Sequence, residues 1–205
     1  MSYPARYIRL CNLLTYISLL CSLLAVFAAR EYRSWEAAGL LLAVSALADT
    51  FDGKFALLFQ RTENESEFGA QLDSLVDAVS FGIVPVVCLQ SLVQFDSASA
   101  RFELLVAAFV YVLCAVTRLG YYNLHHHAQS GFIGLPTTLA ALLWSTLFLT
   151  HPSAIPVALI SVLVGGAMVS PLTVSRPRGI AMGAYMLWFL VVFISYTYRF
   201  VAGIY

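Results

Sequence analysis

ALADTFDGKFALLF (residues 46–59) and, after a short polar link, EFGAQLDSLVDAVSFG (67–82) are apolar runs that each carry two aspartates. Asp49 and Asp52 stand at i, i+3, and Asp73 and Asp77 at i, i+4. On helices, each spacing puts its pair on one face. One loop joins the two runs, so they are expected to pack as an antiparallel hairpin, with the two pairs facing each other near the loop end.

The surrounding chain is a membrane sequence. Of its 205 residues, 60% are hydrophobic and 11% charged, and the mean hydropathy is +0.83. A soluble domain carries about 25% charged residues, so this chain lacks the polar surface to coat a water-facing globule. Seven apolar segments can be drawn, at about 11–29, 36–59, 68–93, 103–123, 135–150, 154–173 and 180–202. The expected fold is all-α, a polytopic transmembrane bundle of about six to eight helices in one membrane domain, 1–205. No cleavable leader is expected, because no small-residue cleavage site follows the first apolar run.

Charge sets the expected orientation. With the N-terminus inside, Arg6, Arg9, Lys54, Arg61, Arg118, Arg176 and Arg178 fall on the cytoplasmic side. Arg30, Arg33, Arg101 and Arg199 fall on the other. The aspartate loop then faces the cytoplasm, as expected for an inner-membrane protein of a bacterium. The formal net charge of +0 says nothing about a nucleic-acid partner, because the charges are distributed by topology, and no nucleic acid is expected as a partner. Cys11, Cys21, Cys88 and Cys114 lack paired spacing and read as small core residues. Gly165, Gly166, Gly179 and Gly183 read as close-packing positions, and Glu63, Glu65 and Glu67 as a solvated loop.

A carboxylate in a membrane helix costs about 2.5–3.5 kcal/mol. Four together cost on the order of 10 kcal/mol, which rivals the stability of a whole protein. Lys54 and Arg61 are the only basic residues between Asp49 and Asp77. Protonation is one way to neutralise the cluster. A divalent cation is the better one, because clustered carboxylates are hard oxygen ligands suited to Mg²⁺ or Mn²⁺. Gly53 follows Asp52 and Gly69 precedes Asp73 by one turn, leaving room for a bulky ligand. Helix capping at the membrane surface would account for one pair, but not for two facing pairs with flanking glycines.

Asp49-x-x-Asp52-Gly53-x-x-Ala56 followed by Gly69-x-x-x-Asp73-x-x-x-Asp77 resembles the signature of the CDP-alcohol phosphatidyltransferases. SEFGAQLDSLVDAVSFGIVP (66–85), TRLGYYN (117–123) and FIGLP (132–136) resemble its phosphatidylserine synthase branch. The resemblance implies transfer of a phosphatidyl group from CDP-diacylglycerol to a small alcohol, with L-serine first among the acceptors, and release of CMP. Inositol phosphate, glycerol phosphate and choline are the alternative acceptors. It further implies that Asp49, Asp52 and Asp73 hold one or two metal ions. Asp77, also counted among the metal carboxylates, would be the base for the acceptor hydroxyl. Asp52, Gly53, Ala56 and Gly69 would line the nucleotide and diphosphate site, and the enzyme would be a homodimer in contact with membrane lipid.

The chain departs from the family in carrying Leu57 where an Arg usually follows the motif alanine. The gap before Gly69 is also about three residues longer than is usual. Arg61, one turn beyond Leu57, is the candidate to reach back to the phosphates.

Arg118, Tyr122 and Asn123 are candidates for the acceptor site, with a positive-inside anchor as the equal alternative for Arg118. Arg176 and Arg178 read first as anchors, and His125, His126 and His127 as a loop or interfacial run. Asn12 and Thr15 read either as nucleotide contacts or as helix–helix hydrogen bonds. Two rival readings stay open: an ion or proton transporter using membrane carboxylates, and a non-catalytic relative.

Overall fold

The computed structural model describes residues 3–125, 132–174 and 179–203. Two short 3-10 turns, Pro4–Tyr7 and Leu10–Asn12, lead into α1 (Leu13–Glu31). Then follow α2 (Trp35–Ala56), α3 (Glu63–Asp77), α4 (Val84–Leu92), α5 (Ala98–His125), α6 (Thr137–Phe148), α7 (Ala154–Val169) and α8 (Ile180–Ala202). A π-helical stretch, Ala78–Ile83, fuses α3 and α4 into one rod from Glu63 to Leu92. Seven helical rods are therefore present among the described residues. The expected all-α bundle is borne out. A two-residue antiparallel ladder, β1 (Phe132–Ile133) with β2 (Thr173–Val174), is a minor addition.

Four rods are long and apolar enough to cross a membrane: those at Leu10–Glu31, Glu63–Leu92, Ala98–Leu124 and Ile180–Ala202. α2 has the length, but carries Glu36, Asp49, Asp52 and Lys54. α6 and α7 are shorter apolar helices.

The bundle is built small and polar inside, large and apolar outside. α1 and α2 pack along their length through Ala25, Ala29, Ala38 and Ala46, all fully buried. Small side chains let the backbones approach where lipid removes any hydrophobic drive to associate. Ser18 and Ser45 then hydrogen-bond across α1 and α2 at 2.9 Å, and Ser22 meets Ser80 at 2.8 Å. Leu20, Leu24, Phe27, Phe102, Phe109 and Leu163 point outward. Among the glycines expected at close contacts, Gly165 holds that role, since a Cβ there would lie 3.2 Å from Tyr111 Cα. Gly166, Gly179 and Gly183 do not, because a Cβ on any of them would meet nothing within 4 Å.

The π stretch has a local cause. Pro85 has no N–H to give the carbonyl one turn before it, at Phe81. The Tyr111 hydroxyl donates to that carbonyl at 2.7 Å, and Val84 N–H reaches back to Val79 O, which widens the turn. The start of α3 corrects the loop expected over Glu63–Glu67. Thr62 and Glu65 form a capping box, so the acidic run is the first helical turn. Glu65 also pairs with Arg9, and Tyr7 stacks on Phe68 at 4.6 Å, tying the N-terminal segment to α3.

At the opposite end of the bundle, Glu36 of α2 is 2% exposed. It accepts from His151 Nε2 at 2.7 Å, with Arg199 of α8 at 3.7 Å. Trp35 stacks on the His151 ring. Nearby, Gly39 lies against the Tyr196 ring, whose hydroxyl donates to Ser145 O. Ser145 Oγ returns a 2.7 Å bond to Gly39 O. A methyl at position 39 would enter the Tyr196 ring, so Gly39→Ala is expected to cost about 1–3 kcal/mol. The measurement is the heat-stability midpoint in detergent. An unchanged midpoint would mean that the ring moves aside freely.

Candidate active site

The last two turns of α2 and the last two of α3 bring the four aspartates together. One carboxylate oxygen from each of Asp49, Asp52 and Asp73 lies within 4.8 Å of the others. Asp77 completes the group from the buried side: its carboxylate meets that of Asp49, while that of Asp73 meets that of Asp52. Like charges in contact leave Asp49 Oδ1 and Asp77 Oδ1 buried without a hydrogen-bond partner. Two buried carboxylate oxygens without a donor are a condition that a hard divalent cation relieves. The residues present therefore fit Mg²⁺ or Mn²⁺, with Asp49, Asp52 and Asp73 as the ligand set and Asp77 at its edge.

Hydroxyls support the carboxylates from two sides. Thr15 of α1 donates to Asp52 Oδ2 at 2.9 Å, and Thr137 of α6 to Asp77 Oδ2 at 3.0 Å. The two readings of Thr15 meet here, since its helix–helix bond ends on a site carboxylate. Thr137 escapes sequence reading. Its only signal is that it directly follows FIGLP. Tyr185 of α8 lies beside Asp49, with its hydroxyl 3.1 Å from Thr50 Oγ1. It too escapes, because the last third of the chain carries little of the motif resemblance.

The glycines flank open space. A Cβ on Gly53 would meet nothing within 4 Å. One on Gly69 would lie 3.4 Å from Asn12 Oδ1 and 3.5 Å from Arg61 Nη1. Arg61 thus does bring its guanidinium to the Gly69 face, next to Asn12. Leu57, beyond the end of α2, is exposed, while Ala56 is buried at the helix end.

Arg118 of α5 is 7% exposed, close enough to Asp77 to feel its charge, and lies 4.9 Å from the Tyr122 ring centre. Such burial does not suit a simple interfacial anchor. A cavity of ≈ 150 Å³ adjoins it, lined by Thr117, Arg118, Tyr121, Ile133, Met168, Val169 and Ser170. Asn123 accepts from Ser74 of α3 at 2.7 Å, beside the aspartate face. The His125 side chain, His126, His127, Arg176 and Arg178 lie outside what is described.

With this geometry in hand, the family model for the CDP-alcohol phosphatidyltransferases matches residues 8–194. The chain belongs to the CDP-alcohol phosphatidyltransferase family. It is 32% identical over 152 residues to archaetidylserine synthase of Methanothermobacter thermautotrophicus, covering 74% of this chain and 62% of that protein. It is 34% identical over 130 residues to the CDP-diacylglycerol–serine O-phosphatidyltransferase of Methanocaldococcus jannaschii, covering 63% and 59%. The enzyme of that name from Bacillus subtilis is 27% identical over 139 residues, covering 68% and 75%. The chain spans about three fifths of the length of the first two relatives.

The unpaired oxygens predict a stability trade. Asp49→Asn would let an amide donate to Asp77 Oδ1 and remove one of two facing charges. Without divalent cations it is expected to stabilise the protein by about 1–3 kcal/mol. It should also gain less than wild type on addition of Mn²⁺. A cation-free variant that melts no higher than wild type would contradict the carboxylate contact.

Proposed function

We propose that this protein transfers a phosphatidyl group from CDP-diacylglycerol to a small alcohol, L-serine first among the candidates, and releases CMP. The observation that carries the reading is the meeting of four carboxylates beside the Gly53–Gly69 gap. The relatives' names support serine as the acceptor.

Asp49, Asp52 and Asp73 would hold a divalent cation, Mg²⁺ or Mn²⁺. When bound, it would neutralise the donor diphosphate and the charge that develops on phosphorus. Arg61 and Asn12 on the Gly69 face would bind the donor's phosphates, with the Arg61 guanidinium in place of the family cation missing at Leu57. Gly53 and Ala56 would line the nucleotide side. Asp77 would accept the proton of the acceptor hydroxyl, which is a poor nucleophile until a base lies within hydrogen-bond reach. The acceptor oxygen then bonds to the lipid-side phosphorus, and the bond from that phosphorus to CMP breaks.

Arg118 would pair with the acceptor's carboxylate from the adjoining cavity, beside Tyr122 and Asn123. The cavity of ≈ 150 Å³ suits an acceptor of serine's size. The site would face the cytoplasm, since Arg9, Lys54 and Arg61 gather at its end of the bundle and Arg33 and Arg199 at the other. A homodimer belongs to the proposal on the family resemblance alone, and the mass of the protein in detergent tests it.

Purified protein given CDP-diacylglycerol, Mn²⁺ or Mg²⁺ and L-serine is expected to release CMP, and chelation to stop it. No CMP with serine, glycerol phosphate, inositol phosphate or choline would sink the reading. Asp77→Asn should bind donor but lose turnover by about 10²-fold or more. Near-normal turnover in that variant would remove Asp77 as the base. Arg61→Ala should raise the donor KM about tenfold, as the loss of one charge-assisted hydrogen bond implies.

A further inference from the structure

We propose that Thr137 is a positioning residue for Asp77, and that the turn from Phe132 to Pro136 holds its hydroxyl in place. This rests on the transferase reading above. The Thr137 hydroxyl donates to Asp77 Oδ2 at 3.0 Å, and Thr137 is 2% exposed. A carboxylate turns about its Cβ–Cγ bond unless one oxygen is held. With Oδ2 held, Oδ1 is the oxygen left buried without a hydrogen-bond partner. Thr137 thereby selects which oxygen of Asp77 meets the acceptor's proton.

The alternative is a helix hydroxyl that merely satisfies itself. Thr50, Ser91, Thr146 and Ser161 do so, each bonding the carbonyl four residues back. Thr137 instead reaches a carboxylate 60 residues away. Its backbone is held as a precise site requires. It opens α6 directly after Pro136, and the chain before it is pinned to the end of α7. Gly134 N–H donates to Leu172 O at 2.7 Å, and Leu135 N–H to Ala167 O at 3.0 Å. Gly134 has φ +74°, and a Cβ there would run into the Met168 carbonyl. A glycine is therefore needed for the turn to sit this close to α7. The FIGLP segment thus acquires a physical purpose: it delivers the next residue's hydroxyl to Asp77.

The test uses the full chain in liposomes, with Thr137→Val to remove the donor at constant shape and Thr137→Ser to keep it. The valine variant should lose about 10–100-fold in kcat, the usual cost of removing a group that orients a site residue. Its donor KM, and its Mn²⁺ affinity measured by titration without substrate, should stay within about twofold of wild type. The serine variant should recover to within about threefold of wild type. In an Asp77→Asn background, Thr137→Val should cost nothing further, because the two act as one unit. Should the valine variant fail to fold, Thr137→Ala takes its place with the same expectations. Wild-type kcat in the valine variant would overturn the proposal. So would no rescue by serine, or an equal loss of kcat and Mn²⁺ affinity. A wild-type protein that releases no CMP would instead defeat the transferase reading itself.

Discussion

The interaction on which this structure depends is a repulsion. Asp49 meets Asp77 and Asp52 meets Asp73 where two helices of a membrane bundle converge. A carboxylate in a membrane helix costs about 2.5–3.5 kcal/mol before any repulsion is counted. A bundle selected for stability alone would not keep four. In the function proposed above, a divalent cation held by Asp49, Asp52 and Asp73 would supply the counter-charge.

Much of the remaining fold can be understood as holding that hairpin still. Alanines and serines bring α1 close enough to α2 for Thr15 to reach Asp52. Just beyond Asp77 the rod widens into a π turn, where Pro85 leaves the Phe81 carbonyl unserved and Tyr111 supplies the missing donor. This ties the helix that carries Asp73 and Asp77 to α5, the helix that carries Arg118. At the far end, buried Glu36 gathers His151 and Arg199, so α2 is held to α8 and to the α6–α7 link away from the chemistry. Leaving one of those charges unpaired would cost several kcal/mol in this setting. That makes the cluster a clamp at one end of the helix whose other end carries Asp49 and Asp52.

The phosphate role proposed for Arg61 rests on where the chain places it. Leu57 lies outside the end of α2 and points into the surroundings. The longer link before α3 lets a cation four residues later return to the Gly69 face beside Asn12. At the end of this link Thr62 and Glu65 cap α3, and Arg9 pairs with Glu65. The acidic run at 63–67, which alone resembles a solvated loop, is therefore part of the apparatus that places Arg61.

The four aspartates, their helical spacing, the hairpin and the membrane bundle are all legible in the sequence. They rest on local period and on the cost of charge in hydrocarbon, both of which act residue by residue. The glycine gap is legible for the same reason, since a missing Cβ is a local fact. The partners that complete the site are legible only in part: Arg118 and Thr15 stand out as candidates in the sequence, whereas Thr137 and Tyr185 do not. These four come from four different helices, and nothing in a lone Thr or Tyr says which carboxylate it will face. That was decided by the crossing of helices through small side chains, by a glycine turn pressed onto α7, and by a proline-induced π turn. The sequence by itself determined that carboxylates would meet in a membrane. Only the tertiary structure decided which oxygens are held and which are left without a partner, because hydrogen bonding depends on distances between helices far apart in the chain.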